Sequence, residues 1–350
     1  MSLTVAPLDA GRAEWLAWRR SGVGASDAAG VLGISPWGSP WAVWADKVGL
    51  FGLDDDDTGF GSDDSREFGR RAEAMIVPWF EDTTGLHIPA TQLWARNDLL
   101  PWILATPDGA VTDRSYCTGG GDCPFPSHPK ALHEGASSRL RTEDLQVLAG
   151  MASQFDGLEA KTEFDGKAWA EIPVWYQSQG QWQMAATGWE TVWFAVLHGR
   201  RFRTYVLRRD QGDIDEMVDR IGEWWETHVT GRVAPPIDGS DATLDLLTRL
   251  YPAADLSSSV ALDHIAGSIR DYVDAKADEA TATARAKQAA AEIRDAMGGA
   301  YEGTVAGARA LTLGSQTKRT ICRHCGTVDE SDPFRVLRIT KTKTVKGSPR

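Results

Sequence analysis

The stretch Gly157-Leu158-Glu159-Ala160-Lys161-Thr162 sets an acid and a base two positions apart in a short run with alternating polar residues. Side chains alternate across a strand, so positions two apart share a face, and Glu159 and Lys161 point into one space. Upstream, Ile103-Leu104-Ala105-Thr106, then Pro107-Asp108-Gly109, then Ala110-Val111 reads as a strand, a bend and a second strand. A second acid, Asp108, therefore stands at a bend ahead of the first. Two carboxylates and a strand carbonyl make a partial oxygen shell for a hard divalent cation and leave room for water and phosphate. An ammonium beside them orients that water and stabilises developing charge. Such a set supports phosphodiester hydrolysis, although Pro-Asp-Gly turns and solvated Glu-x-Lys pairs are each common for structural reasons alone.

Outward from this stretch the chain punctuates itself. A helix over about 9–20 ends at Ser21-Gly22-Val23-Gly24, and Ser26, a residue favoured at N-caps, marks the next helix, whose first amides would suit an anion. A short helix is expected from Trp41 to Val48. From Ser65 to about Thr83 the apolar residues Phe68, Ala72, Met75, Ile76, Trp79 and Phe80 recur at helical spacing, with Glu73 on or near the buried stripe. Residues 113–156 carry Gly119-Gly120-Gly121 and one plausible helix, about 142–152, and read as an insertion. A helix at about 173–187 and two strands, 189–198 and 201–207, follow in hairpin relation across Gly199-Arg200. An amphipathic helix over 213–229 stops before Gly231 and Pro235-Pro236. The core domain is thus expected over 1–235. An extension, 236–350, holds a long Ala- and charge-rich helix at about 260–297, a small β element and a basic tail from Arg335 to Arg350.

Bulk properties narrow the function classes. The chain has 350 residues, 42% hydrophobic and 25% charged, the composition of an ordinary globular protein. No signal-peptide order and no run approaching the roughly 20 apolar residues of a membrane span is present, so a cytoplasmic protein is expected. A net charge of −12 argues against a surface coated for nucleic acid, but local basic clusters at 19–20, 70–71 and 200–209 leave a basic channel open. Four cysteines, Cys117, Cys123, Cys322 and Cys325, are too few for a disulfide framework. Reduced thiols are the simplest reading; a structural zinc site from Cys322-Arg323-His324-Cys325 with the upstream pair is the alternative. The 15 tryptophans are mainly packing residues, with those near 37, 41 and 175 candidates for a DNA groove.

Five ordered blocks carry a family resemblance over about residues 15–210. They are Arg20-Ser21-Gly22-Val23-Gly24-Ala25-Ser26-Asp27-Ala28-Ala29, with the trailing Leu32 to Trp37; Gly69-Arg70-Arg71-Ala72-Glu73; Ala105-Thr106-Pro107-Asp108-Gly109; Leu158-Glu159-Ala160-Lys161-Thr162; and Tyr176-Gln177-Ser178-Gln179-Gly180-Gln181-Trp182-Gln183-Met184. In this series the sequence resembles the YqaJ-type viral recombinase nucleases, relatives of phage lambda exonuclease within the PD-(D/E)xK superfamily.

The resemblance implies an α/β, restriction-endonuclease-like core, a mixed central sheet flanked by helices, with a mainly helical C-terminal extension. It implies that Asp108, Glu159 and the carbonyl of Ala160 hold Mg²⁺, with Mn²⁺ able to substitute, and that Lys161 positions the attacking water. Glu73 would add a carboxylate, Gln179 and Tyr176 would border the site, and Arg20 and Ser26 would grip the 5′-phosphate of a DNA end. The activity implied is 5′ to 3′ digestion of one strand of linear duplex DNA, leaving a single-stranded tail for a phage-type annealing protein, in a phage or prophage setting and with rings of copies as a known arrangement among relatives. Two other readings stay open: a structure-specific or repair endonuclease of the same fold, and a non-catalytic DNA-binding scaffold.

Overall fold

The computed structural model of the chain describes residues 12–50, 63–91, 93–113, 155–164, 166–321, 328–330 and 332–339. The acidic run Asp54 to Asp57, the expected helix at 142–152, all four cysteines and the basic tail beyond 339 lie outside these residues. The chain divides into two compact units, Met1–Ala254 and Asp255–Arg350.

In the first unit, helices α1 (Arg12–Arg20), α2 (Ala25–Val31), α3 (Pro40–Lys47) and α4 (Asp63–Thr84) precede the strands β1 (His87–Thr91), β2 (Ala95–Arg96), β3 (Leu104–Ala105) and β4 (Gly109–Thr112). Then come β5 (Asp156–Glu163), α5 (Val174–Thr187), β6 (Thr191–His198), β7 (Arg201–Arg208), α6 (Gln211–Trp224) and α7 (Asp241–Leu250). A π-helical turn, Trp225–Thr230, carries the expected 213–229 helix on from α6. The central sheet runs β1-β4-β5-β6-β7. Only β5 and β6 are parallel; the other neighbours are antiparallel, so the sheet is mixed, as expected. A parallel pair needs a crossover, and α5 supplies it.

Both faces of this sheet are covered. Leu158, Ala195 and Leu197 pack against Ala72, Ile76 and Phe80 of α4. Val192, Phe194 and Val196 face the other way, into a larger core with Trp182 and Met184 of α5, Ala28 of α2 and Ile221 of α6. A strand apolar on both faces is what a central position requires. Glu159 lies opposite Phe194 and Lys161 opposite Val196 in the β5–β6 register, which assigns this acid and base to the α5 face.

A backbone clamp fixes the entry to α2. The Val23 N–H donates to the Trp102 carbonyl at 2.7 Å, and the Val23 carbonyl accepts from Leu104 N at 3.0 Å and from the Trp182 indole at 2.9 Å. A β-carbon on Gly22 would stand 2.3 Å from the Trp102 carbonyl oxygen, so the approach needs glycine. The N-cap of α2 is Gly24, and Ser26 sits one residue inside the helix rather than capping it. Asp27 reaches back instead, its Oδ2 accepting from the Gly24 N–H at 3.1 Å. The same carboxylate takes Lys47 Nζ at 2.7 Å and Arg19 at 3.0 Å. Lys47 is itself enclosed, also donates to the Arg19 carbonyl at 3.0 Å and lies 3.7 Å from Asp46.

The first unit extends past residue 235 because α7, not foreseen in the sequence, packs Leu246 onto Trp41, Ala42 and Ala45 of α3. Ser39 and Thr243 share a buried hydroxyl hydrogen bond of 2.7 Å at this junction. The second unit holds the long helix α8 (Ala266–Met297), preceded by a short 3₁₀ turn, Asp263–Ile265, and a three-stranded antiparallel sheet. Its strands are β8 (Glu302–Val305), β9 (Ala308–Gln316) and β12 (Phe334–Ile339), with β10 (Arg319–Ile321) and β11 (Val328–Glu330) as a separate pair. Arg335, which the sequence placed in the basic tail, is bonded to the carbonyls of Gly298, Ala300 and Leu313 and so closes this sheet onto the helix end. Among the described residues no helix is long and apolar enough to cross a membrane.

The buried Asp27 gives the first test. Burial alone would raise its pKa, but Lys47 and Arg19 outweigh burial and hold the carboxyl down at about 2. An acid depressed in the folded state stabilises fully above the range where a free aspartate titrates, and that contribution, about 2 kcal/mol, is lost as pH falls toward 2. Asp27→Ala, which strands the Lys47 ammonium, is expected to cost about 3–5 kcal/mol in urea denaturation at neutral pH. A loss under about 1 kcal/mol would show that Lys47 finds other compensation.

Candidate active site

Three elements converge on Glu159. Strand β5 buries its carboxylate, and the residue two places on returns an ammonium: Lys161 Nζ lies 2.7 Å from Glu159 Oε1. From α5, Gln179 Nε2 donates to the same oxygen at 2.5 Å, and Gln183 Nε2 donates to Oε2. Gln179 and Gln183 are four apart on one helix and therefore share a face. Gln183 was not picked out as a site residue from the sequence, although its spacing from Gln179 was a usable signal. Its own Oε1 is buried with no donor among the described residues.

Asp108 occupies the bend before β4, where its backbone N–H donates to the Leu158 carbonyl at 3.1 Å and its Oδ2 accepts from the Ala160 N–H at 2.7 Å. Both bonds tie the bend to β5 and set Asp108 beside the acid and base. Burial, then the neighbouring Glu159 and Glu73, raise the Asp108 pKa well above the ordinary carboxylate range. Glu73, on α4, is raised for the same reasons in the same order, burial first and Glu159 next. For Lys161 burial pulls the pKa down, but Glu159 and Asp108 more than reverse it and the ammonium is retained. Burial also lifts the Tyr176 phenol to about 12, so it stays neutral, with its ring 5.0 Å from Lys161 Nζ.

A cavity of about 580 Å³ opens onto this cluster and is lined by Glu73, Ala160, Lys161 and Gln179. Ser26 also lines it, together with Arg19. Arg20 does not appear among the lining residues; its guanidinium Nε lies 3.4 Å from Asp46 Oδ1. The neighbouring arginine, overlooked in the sequence, is therefore the one that meets the cavity beside Ser26. Of the residues named from the sequence, Glu73, Lys161 and Gln179 face the cavity, and Glu159 and Asp108 stand behind them, Glu159 bonded to Lys161 and Gln179 and Asp108 to the Ala160 N–H.

Ionised, this group holds three carboxylates and one ammonium, a surplus of two negative charges in a poorly solvated place. Among the described residues no three His, Cys, Asp or Glu side chains come close enough to cage a cation alone. A shell of two carboxylates and the Ala160 carbonyl, completed by water and substrate oxygens, is the manner in which Mg²⁺ is commonly held. The donor set thus fits a hard divalent ion, and it lacks the thiolates and imidazoles that favour zinc.

The model of the YqaJ-like viral recombinase domain matches residues 14–190, a segment that contains every residue of this cluster. A protein of Bacillus subtilis (strain 168), named Uncharacterized protein YqaJ, is 26% identical over 304 residues, covering 84% of this chain and 81% of its own. Among solved structures, the alkaline exonuclease LHK-Exo of Laribacter hongkongensis is 15% identical with a TM-score of 0.38, over 69% of this chain and 99% of that one. A phage related exonuclease from Haemophilus somnus 129PT is 11% identical with a TM-score of 0.37, over 61% and 96%.

The crowding of acids has a thermodynamic signature. An acid whose pKa is raised by folding destabilises the folded state above its ordinary titration range, and the penalty fades as pH falls. In chelator at pH 8, Asp108→Asn is therefore expected to raise the melting temperature by a few degrees over wild type, and the gap should shrink toward pH 4. A lower melting temperature for Asp108→Asn throughout would mean that Asp108 serves packing rather than charge.

Proposed function

The chain belongs to the YqaJ-like viral recombinase domain family, and from that premise we propose that it is a divalent-metal-dependent DNA exonuclease, acting 5′ to 3′ on the ends of linear duplex DNA. The observation that carries the reading is the crowding of Asp108 and Glu73 against Glu159, which together with burial raises both of their pKa values, next to a lysine that stays protonated. A structural core has no use for such a set, because unbalanced buried charge costs several kcal/mol per ion.

Asp108, Glu159 and the Ala160 carbonyl would hold Mg²⁺, with Mn²⁺ able to replace it. When bound, the ion supplies charge neutralisation at the scissile phosphate and acidifies a water. The rest falls to this chain's own side chains. Gln179 and Gln183 fix the Glu159 carboxylate in rotation, so the lone pair left open on Oε2 is pre-aimed. Lys161 Nζ, held by Glu159, donates to the attacking water and stabilises the developing phosphorane charge. Glu73, whose pKa is raised by burial and by Glu159, is suited to accept a proton from that water or to return one to the leaving oxygen. Ser26, with Arg19 on the same cavity wall and Arg20 next to Arg19 in the chain, would receive a terminal phosphate. A single-stranded tail produced in this way is the substrate of an annealing protein, which places the chain in viral-type recombination and makes such a protein and further copies of the chain its partners.

End-labelled linear duplex, with and without chelator, tests the reading. Wild type should release mononucleotides from the 5′ end only with Mg²⁺ and leave closed circles intact. Asp108→Ala and Glu159→Ala should each remove at least a thousandfold of turnover, on the order of 4 kcal/mol. Lys161→Ala should cost turnover more than metal affinity. Cutting of closed circles would favour a structure-specific endonuclease, and binding without cutting in any divalent metal would favour a scaffold. For Ser26→Ala, Arg19→Ala and Arg20→Ala the expected loss is confined to 5′-phosphorylated ends; an equal loss on unphosphorylated ends would remove them from phosphate recognition.

A further inference from the structure

The cavity lined by Glu73, Lys161 and Gln179 is also aromatic, and catalysis as described above uses none of that surface. Trp37 stands in the turn that follows α2, its backbone N–H and that of Gly38 both bonded to Ser35 Oγ at 3.1 and 3.0 Å. The indole is 47% exposed, its centroid 5.9 Å from the Trp175 ring edge-on and 6.0 Å from Tyr176. Tyr176 in turn lies under Lys161 Nζ, so this aromatic surface begins where the reacting water would stand. From the end of β5, Phe164 is 67% exposed and packs at 5.3 Å against Phe68 of α4, itself 45% exposed. Trp37, Trp175, Tyr176 and Phe164 all line the one cavity.

We infer that Trp37, Trp175 and Tyr176, together with Phe164 and Phe68, form a stacking site for unpaired nucleobases of the DNA strand being cut. The inference rests on the nuclease reading for what the neighbouring polar residues do, and adds what the cavity does with the bases. A surface of exposed rings alone would suit any apolar partner. Here the rings share a cavity with Lys161, Gln179 and Glu73, where the nuclease reading sets the scissile phosphate, so the flat apolar groups of the substrate that come nearest the rings are its bases. Inside a duplex both faces of a base are covered by its neighbours and only a terminal pair leaves one face open, so the site receives a strand end; in the inferred mode of binding this end enters it unpaired. Every base has a π-face, so such a site reads no sequence.

The test is binding of a single-stranded 12-nucleotide oligomer to the full chain in calcium, with 2-aminopurine at the second position from the 5′ end or, separately, from the 3′ end. Wild type should quench one of the two probes. Trp37→Leu and Phe164→Leu, both at exposed positions, should each weaken binding about 5- to 150-fold and relieve the quench, and Trp37→Phe should restore most of both. Wild-type affinity and quenching in both leucine variants, or no binding of either oligomer by wild type, overturns the stacking site. Digestion of linear duplex in Mg²⁺ is measured on the same preparations. Quenching that depends on Trp37 without any digestion leaves the stacking site standing and removes the nuclease reading. Digestion with quenching indifferent to Trp37 does the reverse.

Discussion

A carboxylate taken out of water must be bonded on every side or it gives up its charge. In this protein Glu159 meets that demand through Lys161 on its own strand and through two glutamines, Gln179 and Gln183, on the crossover helix α5. The two glutamine bonds lock helix to sheet at the point where the parallel pair β5–β6 is formed. Asp108 depends on the same place, since the bend that carries it is pinned to β5 by two hydrogen bonds. Fold and chemistry therefore meet in a single side chain: loosening Glu159 loosens the crossover, the bend and the cavity wall together.

How far this could be read from the chain depended on distance along it. Glu159 and Lys161 were legible because a strand's period of two dictates their common face, and Asp108 because Pro-Asp-Gly announces a bend between short apolar runs. Glu73 and Gln179 came from the ordered blocks, not from any local rule. Gln183 obeys a local rule, four residues from Gln179 on a helix, and was passed over because a glutamine in a helix is usually a solvated one. The cluster of Asp27, Lys47 and Arg19 had no legible signal, since its members pair across 20 and 8 residues through the packing of α1, α2 and α3. Ser26 looked like a cap by residue type; the extended backbone at Gly24, with Asp27 reaching back, took that position instead. Helix α7 hides for a different reason. Its one buried leucine, Leu246, makes too narrow a stripe to mark a core helix until Trp41 is brought beneath it.

The second unit follows other rules. None of the residues of α8 is buried, and its alanine content rather than a packed face sustains helicity. Ala290, Ile293 and Met297 are half-covered near its end, where the three-stranded sheet sits and where Arg335 grips the final carbonyls. Arg335 donates to the carbonyl of the C-cap residue Gly298 and, past the helix, to those of Ala300 and Leu313, so the guanidinium stands at the negative end of the helix dipole while it ties the sheet to the helix end.

The antiparallel neighbours β4 and β5 are separated in sequence by the whole of 113–155, so no tight turn sets their register. Alignment of Asp108 with Glu159 is left to side-chain pattern and to the two bonds at the bend. The entropy of closing so long a connection grows only logarithmically with its length, so the excess over a short hairpin amounts to about 2 kcal/mol. Kinetically the weight is greater, because the two acids can meet only after distant parts of the polypeptide have found each other. A chain in which β4 and β5 have not yet paired holds Asp108 and Glu159 apart, so the reactive centre exists only once that long-range pairing is made.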